Sequence, residues 1–161
     1  MASAMPALEA LETEGAPAEG ALMETWEDTP QASSRLLKTQ CQEVEAEIAH
    51  AKDILRLPEL DDKESLYSEE TLDRAVAFMK THIEWVWRSY GTKAPIPTIG
   101  PGPHGSVDLY WEQPSWRLLV NIPATKDALA TFYADDYGRQ KTRGSVDPNK
   151  FSVTIAACLM A

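Results

Sequence analysis

Four side chains of the types that do acid–base or metal chemistry lie on two short stretches: His104 and Asp108 in Pro103-His-Gly-Ser-Val-Asp108, and Asp135 and Asp136 in Ala134-Asp-Asp-Tyr-Gly138. An imidazole beside carboxylates could move a proton or share a divalent cation. The four would act together only if the turn carrying the aspartates lay beside the loop carrying the histidine. Adjacent strand residues point to opposite faces, so one aspartate of the pair at most joins such a site, and Asp136 is taken as that one. The competing role for both is to cap and form the turn.

The glycine-rich run Gly100-Pro-Gly-Pro-His-Gly105 invites a phosphate-binding reading. It lacks the Lys and Ser/Thr of a P-loop, precedes a strand, and its prolines remove the amide donors that such a loop needs. It reads as a rigid turn entering a sheet. Cys41 and Cys158 have no metal-ligand spacing and fall on apolar helical positions, so both are expected to be buried thiols. His82 occupies an apolar helical position and is expected to be a satisfied core residue, with His50 on a helix flank. There is no GxSxG elbow, HExxH or paired CxxC. The expectation is no catalytic residue, no metal and no cofactor.

A second set of residues suits binding. Tyr110, Arg117, Asn121 and Tyr133 fall on outward-facing strand positions, where aromatic rings, a cation and an amide could grip a nucleotide or another anion between the GPGPHG and DDYG loops. The opposing expectation is that these are ordinary polar residues of a solvated face or lie under the C-terminal helix.

The elements that must position these residues follow from periodicity. Leu37, Cys41, Val44, Ile48, Ala51 and Leu55 form one stripe of a helix expected over about 34–57, with Ser33 or Ser34 as its cap and Pro58 as its stop. A second helix, about 68–90, has Ser68 as N-cap, Glu69 and Glu70 in its first turn and Gly91 after its end. It carries two stripes, Leu72-Val76-Met79-Ile83-Val86-Tyr90 and Ala75-Phe78-His82-Trp85. That width places it centrally, between the first helix and a sheet. The stripes are too short to argue for an independent coiled coil, so an αα-hairpin is expected, with a homodimer built from the same stripes as the alternative.

From about residue 96 the period changes to two. Val107, Leu109 and Trp111 alternate with Asp108 and Tyr110. After a turn, Trp116, Leu118, Val120 and Ile122 alternate with Arg117, Leu119 and Asn121. A third strand near Leu129–Ala134, a turn at Asp135–Gly138 and an edge strand at about Gln140–Val146 complete an antiparallel meander of about four strands over about 96–147. Asp147-Pro148 resembles an N-cap followed by proline at the first helical position, opening a short C-terminal helix over about 147–160, with a strand at Val153–Ile155 as the alternative because Val, Thr and Ile favour one. The fold class is therefore α+β, with a single domain over 33–161.

Residues 1–32 are rich in Ala, Glu, Pro and Gly and are expected to form a disordered acidic tail. The net charge is −10, and residues 1–34 hold seven acids and no Lys or Arg, which leaves 18 acids against 15 bases in the remainder. That remainder offers no concentrated basic face, so nucleic-acid binding is disfavoured. A protein partner with a basic surface suits the tail better. Within it Leu22, Met23 and Trp26 sit at helical spacing, the form of a segment that folds into a partner's groove. No apolar run is long enough to span a bilayer and no basic leader is present, so a cytoplasmic location is expected.

Three blocks, Gly100-Pro-Gly-Pro-His-Gly-Ser-Val-Asp-Leu-Tyr-Trp111, Leu118-Leu-Val-Asn-Ile-Pro123 and Thr131-Phe-Tyr-Ala-Asp-Asp-Tyr-Gly138, resemble those of a group of small uncharacterised bacterial proteins that carry them in this order. The resemblance covers about the C-terminal half and implies a recurring domain without implying any chemistry. The acidic tail departs from it. The functional expectation is a non-catalytic protein-interaction module, such as an accessory subunit or an antitoxin-like or immunity-like neutraliser. The alternative is a small-ligand domain using the sheet face and the two loops.

Overall fold

The computed structural model describes residues 29–56 and 66–161. The expected acidic tail lies outside them up to residue 28, and Leu22, Met23 and Trp26 with it. Helix α1 spans Thr29–Arg56 and so begins ahead of the Ser33/Ser34 cap. Pro30 falls in its first turn, the one part of a helix where a missing backbone N–H costs nothing. Helix α2 spans Glu69–Tyr90 with the expected ends. Ser68 Oγ accepts from the Thr71 amide at 3.1 Å, and Gly91, at φ 62°, donates its amide to the Trp87 carbonyl at 2.8 Å. That left-handed φ is the reason for glycine there.

Five antiparallel strands follow as a meander in the spatial order β1-β2-β3-β4-β5: β1 Thr98–Pro101, β2 Val107–Glu112, β3 Arg117–Ile122, β4 Ala130–Asp135 and β5 Lys141–Val146. The sequence showed about four of these. β1 is the added one, hidden by the prolines at 95, 97, 101 and 103, which argue against a strand except at an edge. It is an edge strand, and the helical layer closes it: Glu47 of α1 accepts the Ile99 amide at 2.7 Å. Such capping answers the exposed backbone that makes an edge a liability.

The β2–β3 register pairs Val107 with Ile122, Leu109 with Val120 and Trp111 with Leu118. These residues, with Ile99 and Phe132, make the buried face. Against it pack Val44, Ile48 and Ala51 of α1 and Leu72, Phe78, Met79, Ile83 and Val86 of α2. Each of these side chains except Ala51 contributes about 1.5–3 kcal/mol through the area it removes from water. Both buried indoles find acceptors, Trp111 Nε1 at the Pro95 carbonyl (3.0 Å) and Trp116 Nε1 at the Ala161 carbonyl (2.9 Å).

The C-terminal helix α3 is shorter than expected, Val153–Leu159, and its cap is Ser152, whose Oγ accepts from the Ile155 amide. Asp147 is not a helix cap. Its carboxylate folds back on the Asn149 amide at 2.9 Å and on Lys150 at 3.0 Å, which closes a turn instead. Residues 147–152 are then drawn across α2 by His82. The buried imidazole meets the Phe78 carbonyl through Nδ1 at 2.8 Å and accepts the Ser152 amide on Nε2 at 3.1 Å, stacked against Phe151. This pattern sets the tautomer, with the proton on Nδ1. Burial holds the His82 pKa below the ordinary histidine value, opposed by the hydrogen bond from the ring to the Phe78 carbonyl.

Cys158 is half-buried and its thiol is pushed up by burial. Cys41 departs from expectation and is exposed, because α2 does not cover that part of the α1 stripe. Leu37 is exposed for the same reason.

Candidate functional site

The described helices pack on one face of the sheet, and among the described residues no element covers the opposite face. A meander sends alternate connections to opposite ends of its sheet, which decides what the candidate residues can do together. The β1–β2 turn, carrying His104, is at one end; the β4–β5 turn, carrying Asp136, is at the other. The six residues of β2 separate them by about 17 Å at 3.3–3.4 Å per residue. His104, Asp108 and Asp136 therefore do not converge.

At the first end Asp108 lies opposite Asn121. Asn121 Nδ2 donates to Asp108 Oδ1 at 2.6 Å and to Ser106 Oγ at 2.7 Å, and Ser106 Oγ donates to the Pro103 carbonyl at 2.7 Å. Gly102 closes this cluster. A Cβ at that position would collide with Ser106 Oγ and stand 2.7 Å from both Asn121 Nδ2 and Asp108 Oδ1. His104 sits on the exposed turn at φ 56° and takes no part in the cluster. Gly105, at φ 74°, thus serves the tight hairpin, and Gly102 the close approach of backbone to side chains.

At the other end Arg117 lies opposite Asp135. Arg117 Nε donates at 3.1 and 3.0 Å to the two carboxylate oxygens, and Nη2 donates at 2.9 Å to Oδ2, a forked charge-assisted pair. Asp135 is 4 % exposed and also accepts the Tyr137 amide at 3.0 Å. The Arg117 hydrogen bond, helped by Tyr133, holds its carboxyl down to about 2. The same pairing raises Arg117, and the contact with Asp135 raises the Tyr133 phenol. Tyr110 adjoins the guanidinium, and the Tyr137 ring lies 5.6 Å from Arg117 Cζ. Asp136 is a turn former: its Oδ1 accepts the Arg139 and Gln140 amides at 2.8 and 2.6 Å. The carboxylate that matters here is Asp135, and cross-strand parity would have found it, since it shares a face with Tyr133 and sits in register with Arg117.

Between the two clusters the open face holds a broad depression of about 520 Å³ lined by Leu119, Asn121, Thr131, Tyr133, Arg143 and Ser145. Among the described residues Arg143 has no ion-pair partner. No group of three His, Cys, Asp or Glu among the described residues stands close enough to hold a metal ion.

The helical side carries a different feature that sequence reasoning missed. A groove of about 330 Å³ runs between α1 and α2, with Leu37, Cys41, Val44, Ile83 and Trp87 as its apolar lining. Its rim carries the pairs Lys80–Glu45 at 3.0 Å and Arg88–Glu84 at 3.6 Å. Gln40 donates to the Ala94 carbonyl at 2.8 Å, while its buried Oε1 has no hydrogen-bond partner among the described residues. Leu37 is 41 % exposed at the groove, and the neighbouring Leu36 is 46 % exposed. The signal was in the stripe itself. Helix α1 is apolar at 37 and 41 as well as at 44, 48 and 51, and α2 covers only the later positions. None of the described helices is long and apolar enough to cross a membrane. Comparison of the chain with protein-family models, with curated proteins and with solved structures finds no match.

Proposed function

We propose that this chain is a non-catalytic protein-interaction module whose docking surface is the α1–α2 groove, and that the helix it receives is amphipathic. The observation that carries this reading is the combination of exposed Leu37 and Cys41 with an apolar groove floor. A helix presenting side chains at three- and four-residue spacing fills such a groove. An accessory subunit or a neutraliser of another protein are roles of this class. Where the partner is a different protein, the acidic N-terminal segment would favour one with a basic surface outside the groove and speed the encounter.

The test is capture from native lysate by the full chain, by a chain lacking residues 1–28 and by Leu37→Asp, at two salt concentrations. A specific partner lost with Leu37→Asp supports the groove. A partner retained by Leu37→Asp but lost with residues 1–28 moves recognition to the acidic segment.

A second reading, small-ligand binding on the open sheet face, is favoured by the depression beside Arg143 and Tyr133. A nucleotide or another anion held at a hundred times its Kd adds about 2.7 kcal/mol of stability. Thermal shift against a panel of nucleotides, abolished by Arg143→Ala, would establish it; no shift with any compound would remove it.

A further inference from the structure

We infer that the partner seated in the α1–α2 groove is a second copy of this chain, with the two α1 helices crossing antiparallel at Cys41 so that two hairpins make a four-helix bundle. The inference rests on the groove being the docking surface and names its occupant. A two-fold contact requires one patch to be complementary to itself. The exposed strip of α1 meets that requirement.

Ser34, Leu37, Lys38, Cys41 and Glu45 recur at three- and four-residue spacing, so they share one side of the helix, and all five are exposed. Lys38 precedes Cys41 by three residues and Glu45 follows it by four. Reversing one helix over the other at Cys41 therefore brings Lys38 to within one residue, about 1.5 Å along the axis, of the partner's Glu45 on the same flank, and Glu45 likewise to the partner's Lys38. The same operation brings Leu37 to within one residue of the partner's Val44 and sets Cys41 against the partner's Cys41.

Charge separates this occupant from others. Lys38 has no ion-pair partner among the described residues, and Glu45, paired only with Lys80, keeps 67 % of its side chain exposed. Both signs alternate along the groove rim, Glu45 with Lys80 and Glu84 with Arg88. A partner of one sign would meet repulsion at half of these positions, whereas a second copy brings both signs. Helix length also fits. Among the described residues of α1, none from Gln31 to Thr39 is buried, so about 13 Å of the helix at 1.5 Å per residue keeps surface open to solvent. That segment is what would lie across the partner, in the up-and-down packing of a four-helix bundle.

Sedimentation equilibrium of the full chain under reducing conditions, from about 1 to 100 µM, reads the result directly. The expected species has twice the 17.8 kDa mass of one chain. Leu37→Asp should sediment as a monomer with an unchanged circular dichroism spectrum. Lys38→Glu should weaken association about tenfold, a change of about 1.4 kcal/mol, and the double variant Lys38→Glu/Glu45→Lys should recover it, which only the antiparallel register explains. In a Cys158→Ser chain, mild oxidation should link the two protomers through Cys41. A monomer at every concentration overturns the inference, as does a dimer indifferent to Leu37→Asp or one in which the double variant is no tighter than Lys38→Glu. The underlying docking reading is judged separately: a monomeric chain whose capture of another protein's helix is lost with Leu37→Asp keeps the groove and loses the dimer, and capture unaffected by Leu37→Asp removes both.

Discussion

On the open sheet face the central polar groups have found each other: Asn121 holds Asp108 and Ser106, and Arg117 holds Asp135. At the α1–α2 groove the opposite holds, with Leu37 and Cys41 exposed over an apolar floor. The sheet face looks like a site because it gathers the residue types that do chemistry, yet most of its donors and acceptors are committed to keeping a twisted, one-sided sheet in register. The groove lacks reactive side chains but leaves apolar area exposed to water, which is the costlier feature to leave unfilled. Substitutions on the sheet face should therefore disturb stability and spare association. Groove substitutions should do the reverse.

The sharpest break comes from Asp135. Its removal leaves the Arg117 guanidinium, the Tyr133 phenol and the Tyr137 amide without their common acceptor. Orphaned partners cost more than the lost bond itself. Asp135→Ala should lower Tm by several degrees, and Arg117→Ala/Asp135→Ala should lose less than the sum of the single variants, measured as a double-mutant cycle by thermal unfolding. Additive losses would mean that the pair is incidental and Arg117 is free for another role.

Next in size is Gly102→Ala. The added methyl must displace Ser106, Asn121 or Asp108, and overpacking of this kind costs about 1–3 kcal/mol. Denaturant unfolding should show that loss while the sedimentation behaviour stays that of the parent chain. A neutral substitution would mean that the cluster has slack and a ligand could enter it.

Smaller again is the response to acid, and it probes the seam between the two surfaces. His82 has a folded pKa below its unfolded value near 6.5. The unfolded chain therefore binds more protons than the folded one below that value, so stability is full above about pH 6.5 and declines as pH falls beneath it. Asp135, held at about 2 when folded against about 3.9 unfolded, contributes stability above about pH 4 that is lost as pH falls toward 2. Unfolding free energy should thus decline in two stages, and His82→Leu should remove the first. A single decline below pH 4 in the parent chain would show that His82 does not need to be neutral to hold Ser152.

The parts of the fold that were legible share a property: each was decided by neighbours in sequence. Ser68 and Gly91 bound α2 because capping is a local event, and the alternation in β2 and β3 named the buried face because the pleat has period two. What escaped was decided across the chain. β1 exists because β2 offers it a ladder and Glu47 closes its free edge, against local proline chemistry. Asp147 became a turn because His82 holds Ser152, 70 residues along the chain from it, at the start of the helix. The candidate site failed at the same level. His104, Asp108 and Asp136 are individually well chosen, but the parity of a meander puts their turns at opposite ends, and parity depends on the strand count that β1 altered only at the edge.

The smallest expected effect on stability is the most discriminating one. Leu37 is 41 % exposed, so replacing it with Asp removes little buried area, and surface substitutions of this type usually stay within about 0.5 kcal/mol. Helix propensity sets a further cost of the same order, since Asp ranks below Leu by a few tenths of a kcal/mol in a helix interior. If Leu37→Asp leaves unfolding free energy within those bounds and abolishes association, the exposed leucine is maintained by something outside the protomer, because nothing inside it would suffer from the change. If instead the variant unfolds by several kcal/mol, Leu37 is packed by this same chain, the groove is internal architecture, and the contrast between a self-satisfied sheet face and an unfilled helical face collapses.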